Sequence, residues 1–85
     1  MDATTLLGIV AGLLTSSGFL PQIVKGLRSK RMHDLSLLMP AVLGTGMALW
    51  LIYGIVKEDL AIIFANALGV ALTVTLCIMK IAYGR

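Results

Sequence analysis

Two side chains that can hold a polar ligand, an indole and a carboxamide, lie in the middle of apolar segments of this sequence. Trp50 lies seven residues before Lys57, and Asn66 lies seven residues after Asp59. If both segments are helices, a rise of ~1.5 Å per residue puts both side chains ~10 Å below the charged turn between them. An indole face packs against the C–H surface of a sugar ring, and an amide both donates to and accepts from hydroxyl groups. Trp50 and Asn66 therefore have the chemistry of a binding site for a neutral polyhydroxylated ligand.

Each of these two residues also has a simpler interpretation. Trp50 could be an interfacial anchor, although it lies deeper than the aromatic belts of membrane proteins. Asn66 could form a hydrogen bond between neighbouring helices, which is a common use of amides in membranes. The sequence favours the binding site for Trp50 and leaves both interpretations of Asn66 open.

The dipeptide Pro21-Gln22 lies inside another apolar run. A proline within a helix lacks a backbone donor and clashes with the carbonyl one turn earlier, so the helix must bend. In hydrocarbon, the neighbouring amide needs a hydrogen-bond partner or a water-filled neighbour. We therefore expect Pro21, together with Gln22, to form a hinge.

Other side chains on the helix faces of Trp50, Asn66 and Gln22 form two layers. One layer lies above and the other below the level of Trp50 and Asn66. Near the charged turn, Tyr53, Lys57 and Asp59 are suited to close an outer gate by hydrogen bonds and an ion pair. On the opposite side, Phe19 and Met39 are suited to close an inner gate by apolar contact. Each of these residues is also compatible with an ordinary interfacial or core role.

The elements that must position these side chains are three apolar segments, at about 4–26, 36–56 and 60–83. Of the 85 residues, 59% are hydrophobic and 13% are charged, and a soluble domain of this size cannot bury so much apolar surface. Each segment has the ~20 residues that a helix needs to cross a bilayer. We predict an all-α integral membrane protein, with residues 1–85 forming a single domain of three transmembrane helices. Gly8 and Gly12 are spaced as a helix-packing pair.

The charges predict an orientation in the membrane. Most of the basic residues fall on one side of the predicted bundle: Lys25, Arg28, Lys30, Arg31, Lys80 and Arg85. Because basic loops stay in the cytoplasm, we expect the N-terminus on the outer side and the C-terminus on the cytoplasmic side of the membrane. The same basic loop could contact anionic membrane lipid. Asp2 stands where a signal peptide carries positive charge, which argues against a cleaved signal.

Several functions are disfavoured by what the sequence lacks. No carboxylate lies deep in a span, although proton-coupled pumps usually need one there. No Ser/His/Asp set, metal-ligand spacing or glycine-rich phosphate loop occurs, so we expect no enzyme, cofactor or metal site. The basic residues follow membrane topology, so we expect no nucleic-acid partner.

Three helices enclose little space, so a substrate pathway would need more than one chain. A short chain with an odd number of spans gains a partner most simply by forming a homodimer. A parallel pair would place six helices around a central cavity, a geometry that larger transporters reach with fused repeats.

Together these features resemble the bacterial SemiSWEET sugar transporters of the PQ-loop group. The resemblance covers essentially the whole chain. It is carried by the stretch Gly18-Phe19-Leu20-Pro21-Gln22, the basic loop leading to Ser36-Leu37-Leu38-Met39-Pro40, the stretch from Gly46 to Tyr53 that includes Trp50, and Asn66 followed by Gly69.

The resemblance implies a parallel homodimer in which each third helix packs between the first two, giving the helix order 1-3-2. It also implies a uniporter that moves mono- or disaccharides by alternating access, without ion coupling. The implied roles are substrate binding by Trp50 and Asn66, an inner gate of Phe19 and Met39, a hinge at Pro21, and an outer gate of Tyr53 and Asp59 with Lys57. Family members more often have arginine at the position of Lys57. A lysine cannot form the bidentate contact with a carboxylate that an arginine forms.

Two other functions remain open at this point. One is the transport of amino acids or other small polar solutes, as in other PQ-loop proteins. The other is a holin-like pore or a small structural membrane subunit.

Overall fold

Four α-helices form three membrane-spanning elements. The computed structural model describes residues 2–32 and 35–83, so Arg85, which enters the charge argument, lies outside the described residues. The helices are α1 (Ala3–Ser17), α2 (Leu20–Ser29), α3 (Leu38–Val56) and α4 (Leu60–Tyr83). Three helical stretches are long and apolar enough to cross a membrane, namely Ala3–Ser29, Leu38–Val56 and Leu60–Tyr83. The predicted all-α, three-span architecture is confirmed.

The first span is broken into α1 and α2 shortly before the proline. The Gly18 and Phe19 amides donate to the carbonyls of Thr15 and Ser16, at 3.3 and 3.0 Å, so each bond reaches back three residues instead of four. Pro21 then lies in the first turn of α2, where its missing N–H leaves no helical bond unmade. The sequence predicts a bend at the proline, and the structure puts the tightened turn on its N-terminal side.

Helix α1 packs against α4 through small residues. An added Cβ at Gly8 would lie 2.6 Å from the Cβ of Ala61, and one at Gly12 would lie 3.0 Å from the Cα of Ala65. Contacts this short leave room only for hydrogen at the two glycines, and they let the backbones approach closely. The predicted packing role of Gly8 and Gly12 is confirmed.

Helix α3 packs against the neighbouring side of α4. Three contacts run along this interface: Gly54 with Ile62, Met47 with Gly69, and Gly44 with Thr73. Within residues 2–32 and 35–83, α1 and α3 do not touch each other. The third span therefore lies between the first two, and the predicted helix order 1-3-2 is confirmed. The Cα atoms occupy about 45 × 20 × 13 Å, so the chain is a thin slab.

The close approach of α1 to α4 yields a prediction about stability. The substitution Gly12→Ala forces a methyl group against the Ala65 backbone, and we expect it to destabilise the fold by about 1–3 kcal/mol. Gly46→Ala is the matched control, because an added Cβ there meets no atom within 4 Å and both changes bring the same gain in helix propensity. Thermal unfolding in detergent measures both variants. Equal midpoints would contradict the packing assigned to Gly12.

Candidate functional site

Trp50 and Asn66 lie at the same depth on neighbouring helices. Two contacts between α3 and α4 bracket this level: Gly54 with Ile62, and Met47 with Gly69. Trp50 and Asn66 are each four residues from the first contact and three residues from the second. Because the two helices are antiparallel and rise equally per residue, the Cα atoms of Trp50 and Asn66 lie at the same depth in the membrane.

The indole of Trp50 lies on a face of α3 that the rest of the chain leaves open. The Trp50 side chain is 56% exposed and contacts Tyr53 edge-to-face, with ring centroids 5.3 Å apart and ring planes at 80°. These two rings line a shallow concavity of about 300 Å³ with Gly46 and Leu49. All four lining residues belong to α3, and a Cβ added at Gly46 would meet no atom within 4 Å. The face offers an aromatic wall with empty space beside it.

The open face continues along the length of α3. Its exposed side chains are Met39, Leu43, Trp50, Tyr53 and Lys57, and with Gly46 between Leu43 and Trp50 the positions are three and four residues apart. The residues of α3 that contact α4 lie on a different line, which includes Gly44, Met47 and Gly54. In a helix, side chains on different lines project in different directions. One side of α3 is therefore held by α4 while the face with Trp50 is free to meet something else.

Asn66 lies on α4 between the two residues that contact α3. It is half-buried, and its Nδ2 donates to the carbonyl of Ile62 at 2.9 Å. This bond within one helix turn satisfies one of the two amide protons and orients the carboxamide. The second proton and the Oδ1 acceptor have no protein partner within residues 2–32 and 35–83, so they can serve a polar ligand. The alternative role considered for Asn66 was a hydrogen bond between two helices. This bond stays within α4.

The predicted outer-gate residues lie at the end of the bundle where α3 turns into α4. The Asp59 carboxylate accepts from the Ile62 amide at 3.1 Å and so caps the start of α4. Lys57 ends α3 and is exposed, and Glu58 between them has a left-handed backbone with φ of 55°. An open pocket of about 540 Å³ lies at this end, lined by Thr5, Lys57, Glu58, Asp59 and Leu60. The charges of Lys57 and Asp59 thus lie at one end of the bundle, about one helical turn beyond Tyr53.

The predicted inner-gate residues lie toward the opposite end. Phe19, at the break in the first span, is half-buried and packs against a cluster of Met32, Leu76 and Met79. Met39 lies in the first turn of α3 and is 39% exposed. The structure thus gives Phe19 a packing contact inside its own chain and leaves Met39 on the open face of α3.

The two predicted hinge residues have different surroundings. Pro21 is exposed, whereas Gln22 is half-buried, and its Oε1 is enclosed without a hydrogen-bond partner within the described residues. A cavity of about 190 Å³ lies beside it, lined by Gln22, Lys25, Gly26, Arg31, Met32 and Leu35. An enclosed acceptor without a partner is costly in apolar surroundings. We therefore expect the Gln22 amide to meet water, or to gain a partner in another conformation.

Sequence reasoning missed two residues near the end that holds the predicted inner gate. Met32 is buried although it follows four basic residues, and the ammonium group of Lys80 bonds to its carbonyl. In the sequence, Met32 stands out as an apolar residue within a basic loop, and Lys80 as a charged residue near the end of an apolar span. Nothing in the sequence pairs the two, because they are 48 positions apart in the chain.

Comparison with known proteins gives a consistent result. The family described as PQ loop repeat matches residues 3–63. An uncharacterised protein of Methanocaldococcus jannaschii is 40% identical over 77 residues, which cover 91% of this chain and 83% of that protein. The sugar transporter SemiSWEET of Bradyrhizobium diazoefficiens is 38% identical over 79 residues, which cover 93% of this chain and 92% of that protein.

A solved structure extends the similarity to the fold. The crystal structure of a bacterial homologue of SWEET transporters matches with a TM-score of 0.91 at 36% identity, covering 98% of this chain and all of that one. The relatives with assigned functions are transporters, so the expectation of a protein that is not an enzyme is confirmed. This chain belongs to the PQ-loop family and, within it, to the SemiSWEET group.

Proposed function

We propose that this protein is a passive sugar transporter that moves mono- or disaccharides by alternating access, as a parallel homodimer. One observation supports the proposal above the others. Trp50 presents an indole to an open space at the level of Asn66, whose remaining amide groups have no protein partner in the described chain. An aromatic face and an amide together suit a ring that is apolar on its faces and hydroxylated at its edge.

A second copy of the chain completes the site. A slab about 13 Å thick encloses no passage, and the face that carries Trp50 and Tyr53 has no cover from α1, α2 or α4. Two copies related by a two-fold axis would place these faces opposite each other, with two indoles and two amides around one chamber. The empty space at Gly46 would then be part of the substrate cavity.

Movement between outward- and inward-open states would use the two ends of the same chamber. The break before Pro21 lets α2 move relative to α1, because it interrupts the helical hydrogen-bond ladder there. Tyr53, Lys57 and Asp59 would close the outer mouth, while Phe19 and Met39 would close the inner one. The spans contain no deep carboxylate, which supports transport without proton coupling.

The proposed location is the plasma membrane, with the N-terminus outside and the C-terminus in the cytoplasm. Parallel contacts of Gly8 and Gly12 with Ala61 and Ala65 put the start of α1 at the same end as the 57–59 turn. The bond from Lys80 to Met32 puts the basic loop and the end of α4 at the other end. This concentration of basic residues at one end supports its cytoplasmic position.

Transport by purified protein in liposomes tests the function directly. We expect labelled sugar to equilibrate without a proton gradient, and Trp50→Ala or Asn66→Ala to reduce the rate by about tenfold or more, since each removes a contact worth about 1–3 kcal/mol. Ile52→Ala is the control, because Ile52 is an exposed apolar residue off the face of Trp50.

The same assay separates the alternatives. A panel of labelled sugars and amino acids distinguishes sugar transport from transport of other polar solutes, and leakage of unrelated dyes would indicate a pore. Full activity of both site variants, with the dimer intact, would contradict the proposed site.

If Pro21 acts as a hinge, its substitution should change the rate of sugar flux more than it changes sugar affinity. Pro21→Ala removes the ring that clashes with the carbonyl one turn earlier and supplies an N–H, so the helix can run unbroken through residues 17–21. We therefore expect a stiffer first span and slower sugar flux, with nearly unchanged sugar affinity. Flux is measured in liposomes, and affinity is measured by equilibrium binding in detergent. Equal losses of flux and affinity would argue against a hinge at this position.

Cysteine labelling tests whether the face with Trp50 is wet. In a Cys77→Ala background, we expect a water-soluble maleimide to modify Gly46→Cys but not Thr45→Cys, because only a thiolate in water reacts readily. The two positions are adjacent in depth, but Thr45 points away from both the open face and α4. Excess substrate sugar should slow the labelling of Gly46→Cys. Equal labelling at both positions would contradict a water-filled chamber.

A further inference from the structure

The loop after α2 is fastened to the end of α4 through both backbone groups of one residue. The Met32 amide donates to the carbonyl of Tyr83 at 2.9 Å. The Met32 carbonyl accepts from the Nζ of Lys80 at 2.8 Å, in a partly buried bond. A charged donor makes the second bond stronger than a neutral one would be. We call these two bonds, with the buried Met32 side chain between them, the inner clasp.

The side chain of Met32 fills the space between α2 and α4. It is 5% exposed and belongs to the same buried cluster as Leu76 and Met79. A Cβ added at Gly26 would lie 2.7 Å from the sulfur of Met32 and 2.7 Å from the Cε of Met79. Glycine at this position lets the ends of both methionine side chains lie directly against the backbone of α2.

The same cluster supports the residue predicted to form the inner gate. Phe19 and Ile23, from the break and the first turn of α2, pack against Met32, Leu76 and Met79. Phe19 thus rests on a surface that the clasp holds in place. The rest of the first span is held elsewhere, since α1 meets α4 at Gly8 and Gly12. The break at residues 18–19 separates these two attachments.

We infer that Lys80 is a positioning residue for the inner gate. By holding the Met32 carbonyl, it keeps Met32 packed with Leu76 and Met79, so Phe19 returns to the same supported position each time the inner gate closes. Without this support, Phe19 closes the gate less often and the transport cycle slows. This inference rests on the proposed transport function, because it assigns to Lys80 an effect on the rate of gate movement and none on the sugar site.

The test compares Lys80→Met, which keeps the aliphatic stem and removes the donor, with Lys80→Arg, which keeps a charged donor. We expect Lys80→Met to lower the maximal rate of sugar exchange in liposomes by about tenfold, the effect of losing one hydrogen bond from a charged group. Sugar affinity in detergent should stay within about twofold, since it depends on the distant site residues. Lys80→Arg should restore most of the rate. Arg28→Met, at an exposed position of the same end, should behave as the parent protein.

Hydrogen exchange provides a readout that does not depend on transport. The Met32 amide is protected by its bond to Tyr83, so Lys80→Met should speed exchange in the peptide that contains Met32 and leave the α3–α4 contacts unchanged. Unchanged exchange at Met32 or an unchanged transport rate would overturn the inference. Faster exchange in every helix, with loss of sugar affinity, would also overturn it by showing a general structural role. If Lys80→Met fails to fold, Lys80→Gln, whose shorter side chain carries a weaker neutral donor, should give a smaller change in the same direction in both measurements.

The two proposals fail in different ways. If the parent protein moves no sugar while Lys80→Met still exposes the Met32 amide, the transport function is wrong and only the clasp itself remains. If the parent protein moves sugar and both variants match it, the transport function stands and the role of Lys80 is wrong.

Discussion

The close packing of every other helix on α4 is the constraint on which this structure depends. In a bilayer, lipid tails solvate apolar side chains as well as a neighbouring helix does, so association depends on close van der Waals contact. Small residues supply that contact: Gly8 and Gly12 meet alanines of α4, and Gly54 admits Ile62. Since α1 and α3 both use α4 and not each other, the chain becomes a flat array with α4 in the centre.

A flat array leaves one face of α3 without a cover, and two aromatic side chains lie on that face. Trp50 and Tyr53 lie on it, and Asn66 lies level with Trp50 on the neighbouring helix. An amide without partners is expensive to leave in hydrocarbon. The arrangement is explained if the open face lines water, as it would in the proposed dimer.

The two ends of the chain are built differently, and the difference fits the alternating access that we propose. At one end, α3 and α4 are joined by a short turn, and the Asp59 carboxylate caps α4. At the other end, the first span is interrupted and α2 is attached to α4 through Met32 and Lys80. A continuous connection at the first end and an interrupted span at the second would allow the proposed inner gate to move while the level of Trp50 and Asn66 is preserved.

Much of this organisation is readable in the sequence because it follows from local periodicity. Long apolar segments predict three spans, and the spacing of Trp50 and Asn66 from the charged turn predicts their common depth. These are properties of single helices or of a short connection, so counting residues is enough. The small-residue spacing of Gly8 and Gly12 likewise predicts a packing face, although it does not name the partner.

Other features were decided only by the tertiary structure. Phe19, at the helix break, packs against Met32, Leu76 and Met79, which come from a loop and from α4, and no pattern in the first span predicts these partners. The clasp of Met32 by Lys80 joins residues 48 positions apart, and no periodicity relates them. Sequence alone determined which side chains share a depth and a helix face, because one helix sets both. Which faces are covered, and which loop atoms are tied to a distant helix, was determined by the packing of α1, α2 and α3 around α4, since that packing depends on contacts between remote parts of the chain.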